Sequence, residues 1–149
     1  MTDFKQLLSD VKDQYYRVIL VNEENSEKYK KYCKENKIPV INLSAKLAEL
    51  LSGLSEEERS MEAWDKLKDW MSSQKESIIA FEAIDYLFSP EVGIIDPTKN
   101  FGYYSRDKQV IILFMRARKR NNLLIYSEEG NEDYAEMDIS SNQGFVLGW

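Results

Sequence analysis

Between Arg17 and Leu43 a β-branched apolar run, a Lys/Glu/Tyr-rich stretch and a second apolar run follow one another, and this order constrains the fold more than any other feature. Arg17-Val18-Ile19-Leu20-Val21 lacks the polar alternation of a half-exposed strand and reads as a buried strand of a parallel sheet. Ser26 to Asn36 reads as a helix, which Ile38-Pro39 breaks before a second strand, Val40-Ile41-Asn42-Leu43. Parallel neighbours need a long crossover, so strand, helix and strand within roughly thirty residues predict a βαβ unit.

The flanking patterns extend this into an α/β chain. Phe4, Leu7, Leu8 and Val11 have helical spacing over Asp3 to Gln14, with Thr2 as expected N-cap. Ser44 is expected to cap a third helix with a stripe of Leu47, Leu50, Leu51 and Leu54. Ser55-Glu56-Glu57-Glu58 has the form of a capping box, and Met61, Trp64, Leu67, Trp70 and Met71 behind it read as core. Ser77 to Glu82 reads as a third strand ending in an acid, and Ile84, Leu87 and Phe88 as a short helical turn closed by Ser89-Pro90. Asp96-Pro97 signals a helix start for Thr98 to Arg106, and Val110 to Met115 is the strongest strand pattern in the chain.

Leu123-Leu124-Ile125-Tyr126 reads as a fifth strand. The link from Met115 is too short for a helical crossover, so it is expected as an antiparallel edge strand or hairpin, or reached by a bare loop. The fold class that follows is α/β: three layers and a mostly parallel five-stranded sheet, in one domain spanning residues 1–149. Within it, residues 139–149 form an expected docking segment. A polar stretch, Ser140-Ser141-Asn142-Gln143-Gly144, precedes Phe145, Val146, Leu147 and Trp149, apolar enough to seat on the domain or on another subunit.

Composition narrows the chemistry. The chain has no histidine, which removes Ser-His and Cys-His nucleophile pairs and the commonest metal ligand. The single cysteine, Cys33, permits no internal disulfide, and its lysine-rich helix raises the question of a lowered thiol pKa, against the plainer reading of an incidental thiol. No apolar run approaches the ~20 residues that span a bilayer, and the start of the chain lacks signal-peptide character, so a cytoplasmic protein without a membrane partner is expected. A net charge of −6 works against general nucleic-acid binding but leaves room for a local basic patch.

Strand, short loop, helix, strand, and then a strand ending in an acid, is the element order of a P-loop NTPase core. Several stretches carry a closer likeness: Ile38 to Leu43 running into the Leu-rich helix, Ile84 to Phe88, Asp96-Pro97, Ser105-Arg106, and Leu124 to Tyr134 as a C-terminal hairpin. Over roughly residues 15 to 139 the chain resembles the small P-loop protein of bacteriophage-exclusion (BREX) systems, the BrxF family. The resemblance implies a P-loop-like domain within an assembly of defence proteins. It also exposes a departure. Where the family has G-x-x-x-x-G-K-[ST], this chain has Asn22-Glu23-Glu24-Asn25-Ser26-Glu27-Lys28-Tyr29. Lys28 falls in the lysine register, while Asn22 and Glu27 replace the glycines and Tyr29 the metal-binding hydroxyl. Glu23, Glu24 and Glu27 would each oppose a phosphate by about 4 kcal/mol at 4 Å before screening.

Three functions follow as expectations. The first is a catalytically silent P-loop-like subunit, binding protein partners in the defence complex, or copies of itself, with no cofactor. The second is a divergent ATPase using Lys28, Glu82 and Arg106, with ATP and Mg²⁺ held by an unconventional loop. Arg106 has that place only through the family likeness, and Ala83 leaves Glu82 without a second acid beside it. The third is a nucleic-acid adaptor working through Arg116, Arg118, Lys119 and Arg120, four cations in five residues expected on a loop. The plain reading of that loop is a charged guard on a sheet edge. Most of the nine tyrosines, Tyr15-Tyr16 and Tyr103-Tyr104 among them, read as half-buried core or interface residues, without the interleaved Lys and Arg pattern of a single-strand-binding groove.

Overall fold

In the computed structural model, which describes residues 2–106, 108–142 and 145–149, a parallel sheet is covered by helices on both faces. Its strands are β1 (Val18–Asn22), β2 (Val40–Asn42), β3 (Ile78–Glu82), β4 (Val110–Met115) and β8 (Val146–Leu147), ordered β2-β3-β4-β1-β8 and parallel throughout. Successive residues of a strand face opposite sides. Val18 and Leu20 therefore pack with α3 (Leu43–Leu50), α4 (Glu56–Ser72) and α5 (Pro97–Ser105), through Leu47, Leu67 and Phe101. Ile19 and Val21 pack with α1 (Thr2–Val11) and α2 (Glu27–Glu35), through Phe4, Leu8 and Cys33. β1 and β4 are buried at every position, which is why both lack polar alternation.

A second, antiparallel sheet of β5 (Arg118–Arg120), β6 (Leu123–Tyr126) and β7 (Ala135–Asp138) follows β4. It seats Leu124 and Met137 on the same core that α3 to α5 cover. The mostly parallel five-stranded sheet is thus present, but Leu123–Tyr126 is not its fifth strand. β5 and β6 form a hairpin closed by Asn121-Asn122, with Arg120 opposite Leu123, so the short link makes a tight turn in a separate sheet. The fifth place belongs to β8, two residues long and too short to show a pattern. Arg118 to Arg120, expected on a loop, form an edge strand.

Local signals fix most helix ends. Asp96 caps α5 through Oδ1, which accepts from Thr98 N at 2.9 Å and Lys99 N at 3.2 Å, with Pro97 in the first turn. Ser55 and Glu58 complete their reciprocal capping box. α3 is capped by Asn42 rather than Ser44, because Asn42 Oδ1 accepts from Ala45 N at 3.0 Å while Ser44 bonds the Ala83 carbonyl. Helix α1 already includes Thr2, its expected cap, and ends at Val11 instead of Gln14. Gln143 and Gly144 of the expected polar stretch lie outside the described residues.

One core assignment is corrected. Ala63, Leu67 and Met71 form the buried line of α4, with Trp64 and Trp70 packed partly against it, whereas Met61 is 79% exposed. The stripe falls one turn short because Ala63, an unremarkable residue in the pattern, takes the buried place. Leu67→Ala is expected to cost about 2–5 kcal/mol and Met61→Ala less than about 0.5, measured by urea unfolding. Equal losses at the two positions would contradict this orientation of α4.

Candidate functional site

The carboxyl ends of parallel strands all point one way, and ligands of open α/β sheets bind in the crevice beyond them, where the strand order reverses. Here β1 sends the chain over β4 and β3 to β2, while β4 sends it across β1 toward β8. The reversal lies at the ends of β1 and β4, where a shallow crevice of about 300 Å³ is lined by Glu23, Asn42, Glu82, Asp85, Phe114 and Arg116, among others.

Lys30 stands at the edge of this crevice and ties two of its carboxylates together. Projecting from the first turns of α2, its Nζ lies 2.7 Å from Glu23 Oε1 and 3.0 Å from Glu82 Oε1, and 5.2 Å from the centre of the buried Phe114 ring. Partial burial pulls the Lys30 pKa down, but the bonds and charges of Glu23 and Glu82 outweigh that and leave it above the ordinary lysine value. Among the described residues the other oxygen of Glu23, Oε2, is buried without a hydrogen-bond partner, so this carboxylate depends on Lys30 for its compensation. Beside them, Asp85 Oδ1 accepts from the Tyr126 hydroxyl at 2.9 Å. Burial raises the Tyr126 pKa, and the Asp85 bond raises it further. The Tyr126 ring stacks on Phe88 at 3.9 Å, which locks the small sheet onto the main body.

The turn after β1 borders a wide open cavity, yet its own amides are committed to internal bonds. Instead of a wide loop, Glu23–Asn25 form one turn of 3-10 helix that runs directly into α2. Glu24 N–H donates to Asn22 Oδ1 at 3.2 Å and Ser26 N–H to the Glu23 carbonyl at 3.3 Å, so two amides of this turn face inward rather than toward a ligand. The C-terminal segment closes over it. β8 pairs with β1, and the Gly148 carbonyl accepts from Asn22 Nδ2 at 3.1 Å and Asn25 Nδ2 at 2.6 Å. Trp149 Nε1 donates to the Ala117 carbonyl at 2.8 Å. The expected docking segment therefore seats on its own domain.

The candidate residues named from the sequence occupy separate places. Lys28 is exposed, with Nζ 5.1 Å from the Tyr29 ring centre, and it is Lys30, two positions on, that reaches Glu82. Arg106 precedes β4, whereas Glu82 stands one residue past the Phe81–Leu113 pairing, level with Phe114 and ~13 Å farther along the strands. The chain therefore does not bring Lys28, Glu82 and Arg106 together. Arg106 lies over the Tyr15 ring at 4.3 Å. Arg116 lines the crevice; Arg118, Lys119 and Arg120 lie along β5, an edge strand, with Arg118 Nη2 donating to the Ser127 carbonyl at 2.9 Å. Cys33 is fully buried, and burial pushes its thiol up to about 11, the reverse of activation by neighbouring lysines. The sequence reading missed Lys30; its signal was an i, i+7 offset from Glu23, which spans two helical turns and is not a standard pairing distance.

Chemically, the crevice is edged by a three-member ion cluster, Lys30 with Glu23 and Glu82, and Asp85 and Arg116 are further charged groups on its lining. Among the described residues, no group of three or more acidic, Cys or His side chains has the arrangement of a metal site, and no helix is long and apolar enough to cross a membrane. Compared with family models, curated proteins and solved structures, the chain matches none.

Two outcomes follow. A pKa raised by folding gives stability that is fully present below the unfolded value of ~10.4 and is lost as pH rises through the folded value. Lys30→Met is thus expected to lower the melting temperature at pH 8, with the gap to the parent narrowing as pH rises past the ordinary lysine value; a gap independent of pH would contradict the ion pair. Gly148 has φ +88°, and a Cβ there would stand 3.2 Å from Asn22 Cβ and 3.3 Å from Asn25 Cβ. Gly148→Ala is expected to cost about 1 kcal/mol or more and to release the C-terminal segment, seen as a red shift of tryptophan emission. Unchanged emission and stability would refute the strap.

Proposed function

We propose that this chain is a catalytically silent, P-loop-like subunit that serves as a protein-binding module. The observation that carries the reading is the Lys30 ammonium lodged between Glu23 and Glu82, so that the cation at the sheet's carboxyl end is already neutralised where a nucleotide site would need free positive charge. The inward amides of Glu24 and Ser26 and the Gly148 strap support it. The parallel sheet, covered on both faces and followed by an antiparallel hairpin, agrees with a P-loop-like scaffold. A phage-defence (BREX) setting draws its support from the resemblance of residues 15 to 139; a large ATPase and a DNA methyltransferase encoded beside this gene would strengthen it. For a partner, the exposed cations of β5 offer an open strand edge that suits an acidic extended segment.

The expected behaviour is no Mg²⁺-dependent phosphate release from ATP, whether the chain is alone or assembled with its partners. Calorimetry is likewise expected to show no MgATP binding that responds to Lys28→Ala or Glu82→Ala. Hydrolysis abolished by either substitution would establish the divergent ATPase instead.

A further inference from the structure

At the opposite end of the sheet, the structure gathers aromatic rings and cations that are far apart in the sequence. Helix α4 contributes Trp64 and Lys68, and α5 contributes Lys99 and Tyr103; in each pair the cation and the ring are four residues apart, hence neighbours on one helix face. Arg106, at the end of α5, and Lys108, leading into β4, complete a cavity of about 480 Å³. Among the described residues no acidic side chain lines it, in a chain of net charge −6. The volume falls in the range of small-ligand sites.

Helix stabilisation does not explain these cations. Lys99 sits in the first turn of α5, where the helix dipole disfavours a positive charge. Lys68 has Asp65 at 3.6 Å, but among the described residues Lys99, Arg106 and Lys108 have no carboxylate partner. Core packing accounts for Trp64 and Tyr104 but not for Tyr103 or the neighbouring Tyr15. Tyr103 is 52% and Tyr15 61% exposed, two of four large hydrophobic side chains so exposed among the described residues. They flank Tyr16, with ring centres 5.6 and 4.9 Å from it, and Arg106 lies over Tyr15. Lys108 Nζ stands 5.1 Å from the Tyr104 ring centre. The exposed Tyr103 ring beside cations that have no carboxylate partner among the described residues forms a recognition surface for a base followed by its phosphate: the ring stacks the base, and Lys and Arg hold the phosphate oxygens.

We propose that this cavity binds a nucleotide unit, the base stacking on Tyr103 and the phosphates lying on Lys99, Arg106 and Lys108. The unit is either part of a single strand or a free nucleotide. The site is separate from the Lys30 crevice and from β5, and its ligand needs no Mg²⁺.

The test is fluorescence anisotropy of a labelled oligothymidylate of about 12 nucleotides, without Mg²⁺ and at about 50 mM salt. Thymidine monophosphate as competitor separates the two sources, since displacement at similar concentration identifies the free nucleotide. Binding is expected, with a log–log salt slope of roughly −2 for three phosphate contacts. It should weaken about tenfold or more in Tyr103→Ala and in the double variant Lys99→Ala/Arg106→Ala, and persist in Tyr103→Phe. These side chains are exposed, so circular dichroism is expected to be unchanged. Glu82→Gln and the triple alanine variant of Arg118, Lys119 and Arg120 are expected to bind as the parent does. Absence of binding to either probe, binding untouched by the cavity substitutions, or binding lost only with the β5 cations would each overturn the proposal.

Discussion

The ammonium of Lys30 holds together the end of the sheet on which the functional reading depends. Glu23 leaves β1 and Glu82 ends β3, with β4 between those strands, and a single cation spans the gap over Phe114. Without it, two carboxylates would face each other across a partly desolvated crevice, and one oxygen of Glu23 already has no other compensation among the described residues. Because the strands are parallel, their ends share this side, and whatever fills the crevice also determines what the domain can bind there.

The C-terminal segment reinforces that closure. β8 extends the sheet beside β1, and the two asparagine amides that hold the Gly148 carbonyl belong to the turn where a phosphate loop would be expected. Asn22 has a second task, capping the 3-10 turn through its Oδ1. A position that in a phosphate loop would be glycine for close approach is here a side chain used twice. The carboxyl end is thus built around internal contacts, while at the amino end Lys99, Arg106 and Lys108 have no carboxylate partner among the described residues and Tyr103 and Tyr15 are exposed. The two ends call for different ligands and different experiments.

Much of the architecture was legible because it rests on local patterns. Apolar runs without alternation gave β1 and β4, and the capping signals at Ser55 and Asp96 gave the starts of α4 and α5. What escaped was non-local. β8 is too short for any period, and its place was decided by pairing with β1. Lys30 could not be told from Lys28 because the choice depends on which face of α2 is turned to Glu82, itself distant in sequence. The same holds for the tyrosines. Lys68, Lys99, Arg106 and Lys108 are scattered along the chain and meet Tyr103 only once α4 and α5 are packed. Arg118 to Arg120 kept their charge and exposure as read, but became a strand edge because a two-residue turn sufficed to pair them.

The most direct test of the closed crevice is an amide chemical-shift titration with MgATP, resolved by residue. If Lys30, the asparagine tethers and β8 fill the site, the amides of Asn22 to Lys30, Glu82 and Gly148 will stay in place at millimolar nucleotide, whatever happens near Tyr103. Saturable shifts centred on Asn22 to Lys30 and Glu82 would show that a nucleotide opens the crevice, and would contradict the central claim.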